Sequence, residues 1–268
     1  MAAHAYSKRF LPVLALLLAS VAPGHQSLGQ APKAEPGLTV FANDTVSRIL
    51  PSVGVAFKRI SGVKVKFKFA SAAELASAVE QKAPFDVLIT DDAAFMSEMA
   101  GRGILDKSTF TGVATLTLIL AADSGKMPKV EMRKGFDLSR AVKGKILLVS
   151  PVAGPEGAAA KQALENLGWL EALKPKLGTV PDGRSAVKLV DTGAADAAIL
   201  WASDLSFSES LVKAAEFPPE TYTAAVLTAA LPAKATPAGR KFLAFLLEPM
   251  AQGYMKNAGL AALPVAKP

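Results

Sequence analysis

The sequence contains no cysteine, and its only two histidines, His4 and His25, lie within the first 29 residues. Without cysteine the chain can form neither a disulfide nor a thiolate metal site. If the first 29 residues are removed, the chain also lacks the imidazole of a Ser-His-Asp triad or a histidine metal site. These absences exclude most hydrolytic mechanisms. We therefore expect a protein that is not an enzyme and that has no metal and no other cofactor.

Apolar runs long enough to cross a bilayer are absent from the sequence beyond its N-terminal region, where residues 10–19 form an apolar run. Lys8 and Arg9 precede this run and small residues follow it, which is typical of a secretory signal peptide. The run is shorter than the roughly 20 residues of a transmembrane helix; the alternative is a retained anchor helix. We predict a signal peptide over residues 1–29, a flexible leader over 30–36, and an exported protein.

Basic residues outnumber acidic ones, and the formal net charge is +7. Removal of Lys8 and Arg9 would leave about +5 (7 − 2), since no acidic residue precedes Glu35. Seven basic residues lie between positions 126 and 145, where they either attract anions or form a solvated surface. Aromatic residues make up only 7% of the chain and do not alternate with basic ones. Nucleic acid is therefore not an expected partner.

The first half of the chain alternates strand-like and helix-like patterns. An apolar strand over residues 38–42 runs into polar residues that open a helical pattern over 46–60. Two further strand–helix units follow, with strands at 63–69 and 85–90. This order predicts a largely parallel sheet, whose strand ends and helix N-termini favour an anion. Pro51 indicates that the first helix either kinks there or begins there.

The second half predicts another lobe. The β-rich run 113–122 is a plausible crossover, and a strand at 145–150 leads into a helix over 156–167. A helix opens at Gly183, a buried strand covers 197–201, and the apolar run 222–231 could return the chain to the first lobe. We place lobe 1 at 37–118 and 219–268, and lobe 2 at 119–218.

Six stretches, taken in order, resemble the periplasmic molybdate-binding proteins that feed ABC transporters. They are LTVFA (38–42), SGVKV (61–65), APFDVLI (83–89), ALENLG (163–168), LVDTGAADA (189–197) and FLLEPMAQ (245–252). The resemblance implies an α/β, two-lobed periplasmic binding protein fold, each lobe a mostly parallel sheet flanked by helices, joined by crossover strands. It also implies a monomer in the periplasm that closes on an oxyanion, without chemistry, and passes it to an ABC permease in the inner membrane.

The ligand-contact positions depart from the family pattern. Family members hold the anion with two serine hydroxyls, a tyrosine hydroxyl and backbone N–H groups. The matching positions here are Thr45, Ala72 (with Ser71 adjacent), Glu156 at a position that is usually alanine, Gly183 at one that is commonly valine, and Trp201 in place of the tyrosine. Of the three hydroxyl groups expected from the family, only that of Thr45 is present at the matching position.

These departures leave alternatives open. Glu156 either points to solvent from the first turn of its helix or enters the cleft and repels anions. Trp201 is either a core residue or a cleft residue that contacts the ligand. Asp91 and Asp92 could hold a hard cation with Glu156, although no metal-binding loop supports this. The alternative function is a non-transport binding or sensor protein of the same fold with an organic or cationic ligand.

Overall fold

The computed structural model describes residues 37–263. The predicted signal peptide and leader lie outside the described residues. Within residues 37–263, none of the helices combines the length and the apolar character that a bilayer span requires.

A six-stranded sheet forms the core of the first lobe. Its order is β11-β4-β10-β3-β1-β2. Its strands are β1 (Gly37–Asn43), β2 (Lys64–Ala70), β3 (Val87–Thr90), β4 (Thr111–Leu116), β10 (Val226–Ala230) and β11 (Leu260–Ala261). The helices of this lobe are α1 (Leu50–Ser61), α2 (Ala72–Glu80), α3 (Ala93–Gly101), α8 (Pro237–Leu246) and α9 (Pro249–Asn257).

A five-stranded sheet, in the order β7-β6-β8-β5-β9, forms the core of the second lobe. Its strands are β5 (Leu118–Asp123), β6 (Ile146–Val149), β7 (Leu177–Val180), β8 (Ala197–Trp201) and β9 (Leu211–Glu216). The helices of this lobe are α4 (Leu138–Ala141), α5 (Pro155–Leu167), α6 (Leu170–Leu173) and α7 (Gly183–Asp191). The predicted α/β two-lobed fold is confirmed.

Both sheets are mixed, so the expectation of mostly parallel sheets needs correction. Parallel pairing joins β2, β1 and β3 in the first sheet, and β7, β6 and β8 in the second. All pairs that involve β4, β5, β9 or β10 are antiparallel. The physical reason is that these strands carry the chain between the lobes, so they do not belong to right-handed βαβ units.

The strands that connect the two lobes are shorter than the sequence pattern predicted. The predicted run 113–122 is two strands that separate at Thr117. On the return path the strand covers only Val226–Ala230, and Tyr222 lies outside it. The Tyr222 hydroxyl instead accepts a hydrogen bond from the Leu118 backbone N–H at 3.0 Å, which ties the two crossing segments together.

The structure shows whether the first helix kinks or begins at Pro51. A short 3-10 turn covers Asp44–Val46, and α1 then begins at Leu50 with Pro51 as its second residue. A proline is tolerated there because a backbone N–H in the first turn has no intrahelical acceptor. Pro51 therefore lies in the first turn of the helix and not in its interior.

Candidate functional site

The carboxyl ends of six strands meet between the lobes. In the first sheet β2 is outermost, β1 follows, and β3 lies beside the crossover strand β10. In the second sheet β7, β6 and β8 have the matching order, with β8 beside the crossover strand β5. The crevice outside such strand ends is where open α/β sheets bind ligands.

Four helices begin at this cleft, and side chains cap three of them. Ser71 and Glu74 form a capping box on α2, Asp92 caps α3, and Asp182 caps α7. By contrast, α5 follows Gly154 and has no side-chain cap. Its first backbone N–H groups also lack intrahelical acceptors, and the helix dipole adds positive potential there. The N-terminus of α5 can therefore donate hydrogen bonds to a ligand.

Glu156, the second residue of α5, is buried and does not point to solvent. Its carboxyl group accepts a hydrogen bond from the Trp201 backbone N–H at 3.1 Å. Burial raises the pKa of Glu156 well above its ordinary value, and the negative charge of Asp204 raises it further. Both effects favour the protonated form of this carboxyl group.

Asp204 is the partner of Glu156, and it lies in the 3-10 turn Ala202–Phe207 after β8. The two carboxyl groups lie close enough to change each other's pKa, and their interaction raises the pKa of Glu156 and opposes the rise at Asp204. Burial raises the pKa of Asp204 to about 7. Gly183 makes room for this pair, because a Cβ there would lie 2.5 Å from Asp204 Oδ2.

A third carboxyl group reaches the same place from the first lobe. Asp91 follows β3, is 7% exposed, and accepts a hydrogen bond from the Asn43 side-chain amide. Burial raises the pKa of Asp91 to about 6. Its charge acts on both Glu156 and Asp204. The three carboxyl groups therefore form one electrostatic unit across the interlobe boundary.

Trp201 is wholly buried at the end of β8, with its ring 6.3 Å from that of Tyr222. Its indole N–H lies close enough to Asp91 to lower the pKa of that carboxyl group. The two groups do not reach hydrogen-bond geometry, however, so the indole N–H has no partner within residues 37–263. Trp201 is thus a core residue whose polar edge faces the carboxyl groups.

The remaining predicted positions lie toward the mouth of the cleft. Thr45 is half-buried in the turn after β1, and Ala72 is the first residue of α2. The Ser71 hydroxyl is exposed, and it donates to the Glu74 carboxylate at 2.8 Å. The Ser71 hydroxyl proton is therefore already used in a hydrogen bond within the capping box.

Charges also meet across this mouth. Partial burial raises the pKa of Asp44, and Arg184 from the second lobe opposes that rise. Arg184 Nη2 donates to Ser47 Oγ at 3.4 Å. The guanidinium groups of Arg184 and Arg48 lie 4.6 and 5.7 Å from the centroid of the Phe207 ring. The Arg184–Ser47 and Arg48–Phe207 contacts join the lobes at the outer edge of the cleft, whereas the Arg184–Phe207 contact lies within the second lobe.

On the crossover side, a cavity of about 500 Å³ separates α3 from α5. Its lining is mostly alanine and proline, and Asp91 and Asp92 supply its acidic groups. Asp91 therefore borders both the cavity and the Glu156–Asp204 pair. Among the described residues, no group of three or more Asp or Glu has an arrangement that could hold a metal ion.

All six positions taken from the resemblance lie along this cleft, although their contact with a ligand remains a prediction. Asp91 and Glu156 do come together, whereas Asp92 caps α3. Sequence reasoning assigned no role to Asp204, Asn43 or Arg184. The glycine at position 183 was the available signal for Asp204, because a smaller residue there leaves space for a buried neighbour.

Comparisons with known proteins agree with this architecture. The family described as bacterial extracellular solute-binding protein matches residues 38–261. The molybdate-binding protein ModA of Escherichia coli K12 is 29% identical over 213 residues, which is 77% of this chain and 81% of that protein. The protein of the same name from Mycobacterium bovis is 30% identical over 213 residues, covering 77% and 78%.

The fold is also found among solved structures. A periplasmic molybdate-binding protein from Azotobacter vinelandii superposes with a TM-score of 0.68 at 18% identity, over 85% of this chain and 100% of the other. At this identity the likeness concerns the fold alone.

Proposed function

Because the chain belongs to the bacterial extracellular solute-binding proteins, we propose that it binds a small oxyanion of the molybdate type between its lobes. The relatives are named as molybdate-binding proteins, which supports a binding function over a catalytic one. In this proposal the protein is exported through a cleavable signal peptide. It works as a periplasmic monomer and delivers the anion to an ABC permease in the inner membrane.

The N-terminus of α5 is the observation that carries the oxyanion proposal. It lies at the meeting point of the strand ends, and no side chain caps it. Unpaired backbone N–H groups and the helix dipole make such an end an anion-binding site. Arg48 and Arg184 add positive charge at the mouth, where an anion would enter.

The proposed contacts come from both lobes, which we place at 37–118 with 219–268, and at 119–218. In lobe 1 the Thr45 hydroxyl and the start of α2 at Ser71 and Ala72 face the ligand. In lobe 2 the N-termini of α5 and α7, at Glu156 and Gly183, donate backbone N–H groups. The Trp201 indole N–H replaces a hydroxyl donor, since an indole nitrogen only donates.

Calorimetry tests this function. Protein purified after secretion from the full chain is titrated with molybdate, tungstate, sulfate and phosphate at pH 6. We expect saturable one-to-one binding of molybdate and tungstate, accompanied by a rise in the melting temperature. The absence of both heat and a thermal shift with all four anions would rule out the oxyanion proposal.

A second candidate is a non-transport binding or sensor protein with an organic or cationic ligand. The observation that favours it is the group of buried carboxyl groups, which would repel an anion if all were ionised. Native mass spectrometry of protein taken from its own periplasm separates the candidates. A bound amine or cation supports the second, and a bound oxyanion supports the first.

A further inference from the structure

Three buried carboxyl groups from two lobes meet where the oxyanion is proposed to bind. Glu156 and Asp204 belong to the second lobe and Asp91 to the first, and each is at most 9% exposed. The charges that raise their pKa values are those of carboxylates: each other, Asp92 and Asp182. Buried like charges without a compensating cation are strongly unfavourable, so such groups hold protons or bind positive charge.

Unpaired polar atoms surround these carboxyl groups. Among the described residues, six buried side-chain atoms lack a hydrogen-bond partner. Three of them, Asn43 Oδ1, Trp201 Nε1 and Asp204 Oδ2, belong to this group of residues, and a fourth, Ser203 Oγ, belongs to the residue before Asp204. Trp201 is wholly buried and Ser203 is 1% exposed. Buried polar groups are almost always paired in folded proteins. Their concentration at one place indicates a site that is completed by something outside the chain.

The geometry favours protons over a metal ion as the positive charge. Within residues 37–263 the acidic groups are not arranged to coordinate one ion. Glu156 and Asp204, however, are buried close to each other, which is unfavourable for two ionised carboxylates. A single proton held between them satisfies both groups and removes their mutual repulsion.

We propose that the cleft takes up its oxyanion together with at least one proton, which Glu156 and Asp204 share when the lobes close. This inference rests on the proposed function, since it concerns the same cleft. The proton comes from solvent and only an O–H bond forms. Opening would withdraw Asp91 from the pair, and water would then stabilise the ionised carboxylates, so closure and proton uptake are coupled.

The surroundings of the pair contain charges of both signs. Asp91 and Asp92 approach from the β3–α3 junction, and Asp182 from the start of α7. Arg184, also on α7, instead acts on Asp44 at the mouth. A divalent oxyanion bound at α5 would add further negative charge beside Glu156. It would therefore strengthen the hold of the pair on its proton.

The test measures molybdate affinity and proton uptake between pH 6 and 8.5, where molybdate remains a fully deprotonated dianion. Titrations in buffers of different ionisation enthalpy give the number of protons bound with each ligand. We expect about one proton per molybdate near pH 7.5. Above pH 7 the dissociation constant then rises by up to about tenfold per pH unit, the slope for one linked proton.

Glu156→Gln is the matched variant, because its amide can still accept from Trp201 and can donate to Asp204 without titrating. We expect it to bind molybdate with little dependence on pH, whereas Glu171→Gln, an exposed change on α6, should behave as the parent does.

The buffer comparison on the parent protein needs no variant. Binding of molybdate with no proton uptake and a constant affinity overturns this inference and leaves the proposed function standing. Failure to bind any oxyanion at every pH overturns both.

Discussion

At the scale of single residues, the departures from the family pattern form one connected set. Gly183 lacks a side chain where Asp204 is buried, and Asp204 faces Glu156, which stands where the family usually has alanine. Gly183 and Glu156 are far apart in sequence, yet both lie next to Asp204. We interpret them as a single change of site chemistry from neutral donors to a shared proton.

Gly183→Ala tests this packing. The new Cβ would lie 2.5 Å from Asp204 Oδ2, so we expect a loss of about 1–3 kcal/mol in the free energy of unfolding, as for other overpacked sites. Urea denaturation measures it. Gly253→Ala in α9 is the control, because nothing lies within 4 Å of a Cβ there. It should be neutral or gain up to about 1 kcal/mol from helix propensity. Equal effects of the two changes would contradict the packing described.

The raised pKa values predict how stability depends on pH. The ordinary pKa of an aspartate is 3.8, and the pKa of Asp204 in the folded protein is about 7. Between these values the folded state binds more protons than the unfolded state. Stability from this group is fully present below pH 4 and is lost as the pH rises through 7. A pKa difference of one corresponds to about 1.4 kcal/mol. We therefore expect the free energy of unfolding to be larger at pH 5 than at pH 8 by at least about that amount.

Urea denaturation at a series of pH values measures this dependence. Carboxyl groups with lowered pKa values, such as Glu74, stay ionised throughout the window and do not mask it. Asp204→Asn should flatten the curve, because its amide can donate to an ionised Glu156 and lower the pKa of that group. A stability that rises from pH 5 to pH 8 in the parent protein would show that the pair does not share a proton.

Only some of the site residues could be predicted from the sequence. The resemblance pointed to Glu156 and Trp201, but it could not decide whether their side chains faced solvent, the core or the cleft. That depends on neighbours distant in sequence: Asp204 lies far beyond Glu156 along the chain, and Asp91 approaches from the other lobe. Burial of a charged group by such neighbours leaves no local pattern.

At the scale of elements, helices and strands with strong local sequence signals were predicted correctly, and those with weak signals were missed. The strand–helix units from β1 to α3 follow from apolar periodicity and helix caps, and the spacing of Ser71 and Glu74 is the sequence signature of the capping box that the structure contains. The strands β7 and β9 were missed because both are sheet edges with little alternation of apolar and polar residues. Pro51 could not be settled, since a proline fits both a kink and a helix start.

Ser71→Ala tests the capping box at the start of α2. The change removes the hydroxyl that accepts the Glu74 backbone N–H and donates to the Glu74 carboxylate. We expect a loss of about 1 kcal/mol in the free energy of unfolding, as for other N-cap serines. Ser77→Ala, inside the same helix, is the control and should cost little, because the better helix propensity of alanine offsets the loss of the exposed hydrogen bond that Ser77 Oγ accepts from Gln81. A Ser71 variant as stable as the parent would show that the box contributes nothing.

At the scale of the whole molecule, two kinds of contact hold the lobes together. The carboxyl groups meet deep in the cleft, and Arg184 with Arg48, Ser47 and Phe207 joins the outer edges. Contacts made only in the closed state increase its population, and ligand affinity follows that population. The mouth contacts should therefore affect binding even though they lie away from α5.

Arg184→Ala tests these mouth contacts. It removes the cation–π contact with Phe207 and the hydrogen bond to Ser47. Arg184 and Phe207 both lie in lobe 2, so the hydrogen bond to Ser47 is the contact of Arg184 that depends on closure. A hydrogen bond contributes about 0.5–1.5 kcal/mol net, so we expect molybdate affinity to fall by about two- to tenfold. Calorimetry gives the affinity, and small-angle scattering of the ligand-free protein should show a larger radius of gyration. Lys188→Ala, one turn further along α7, is the control. If both variants bind as the parent does, the mouth does not contribute to closure.

The central claim is that an oxyanion sits between the lobes at the N-terminus of α5. Anomalous diffraction at the molybdenum absorption edge, from crystals grown with saturating molybdate, locates the metal atom directly. We predict one strong peak in the cleft, with molybdate oxygens within hydrogen-bonding distance of backbone N–H groups at the start of α5 and beside Thr45. A peak only on the outer surface, or none in the cleft at saturation, would contradict this account.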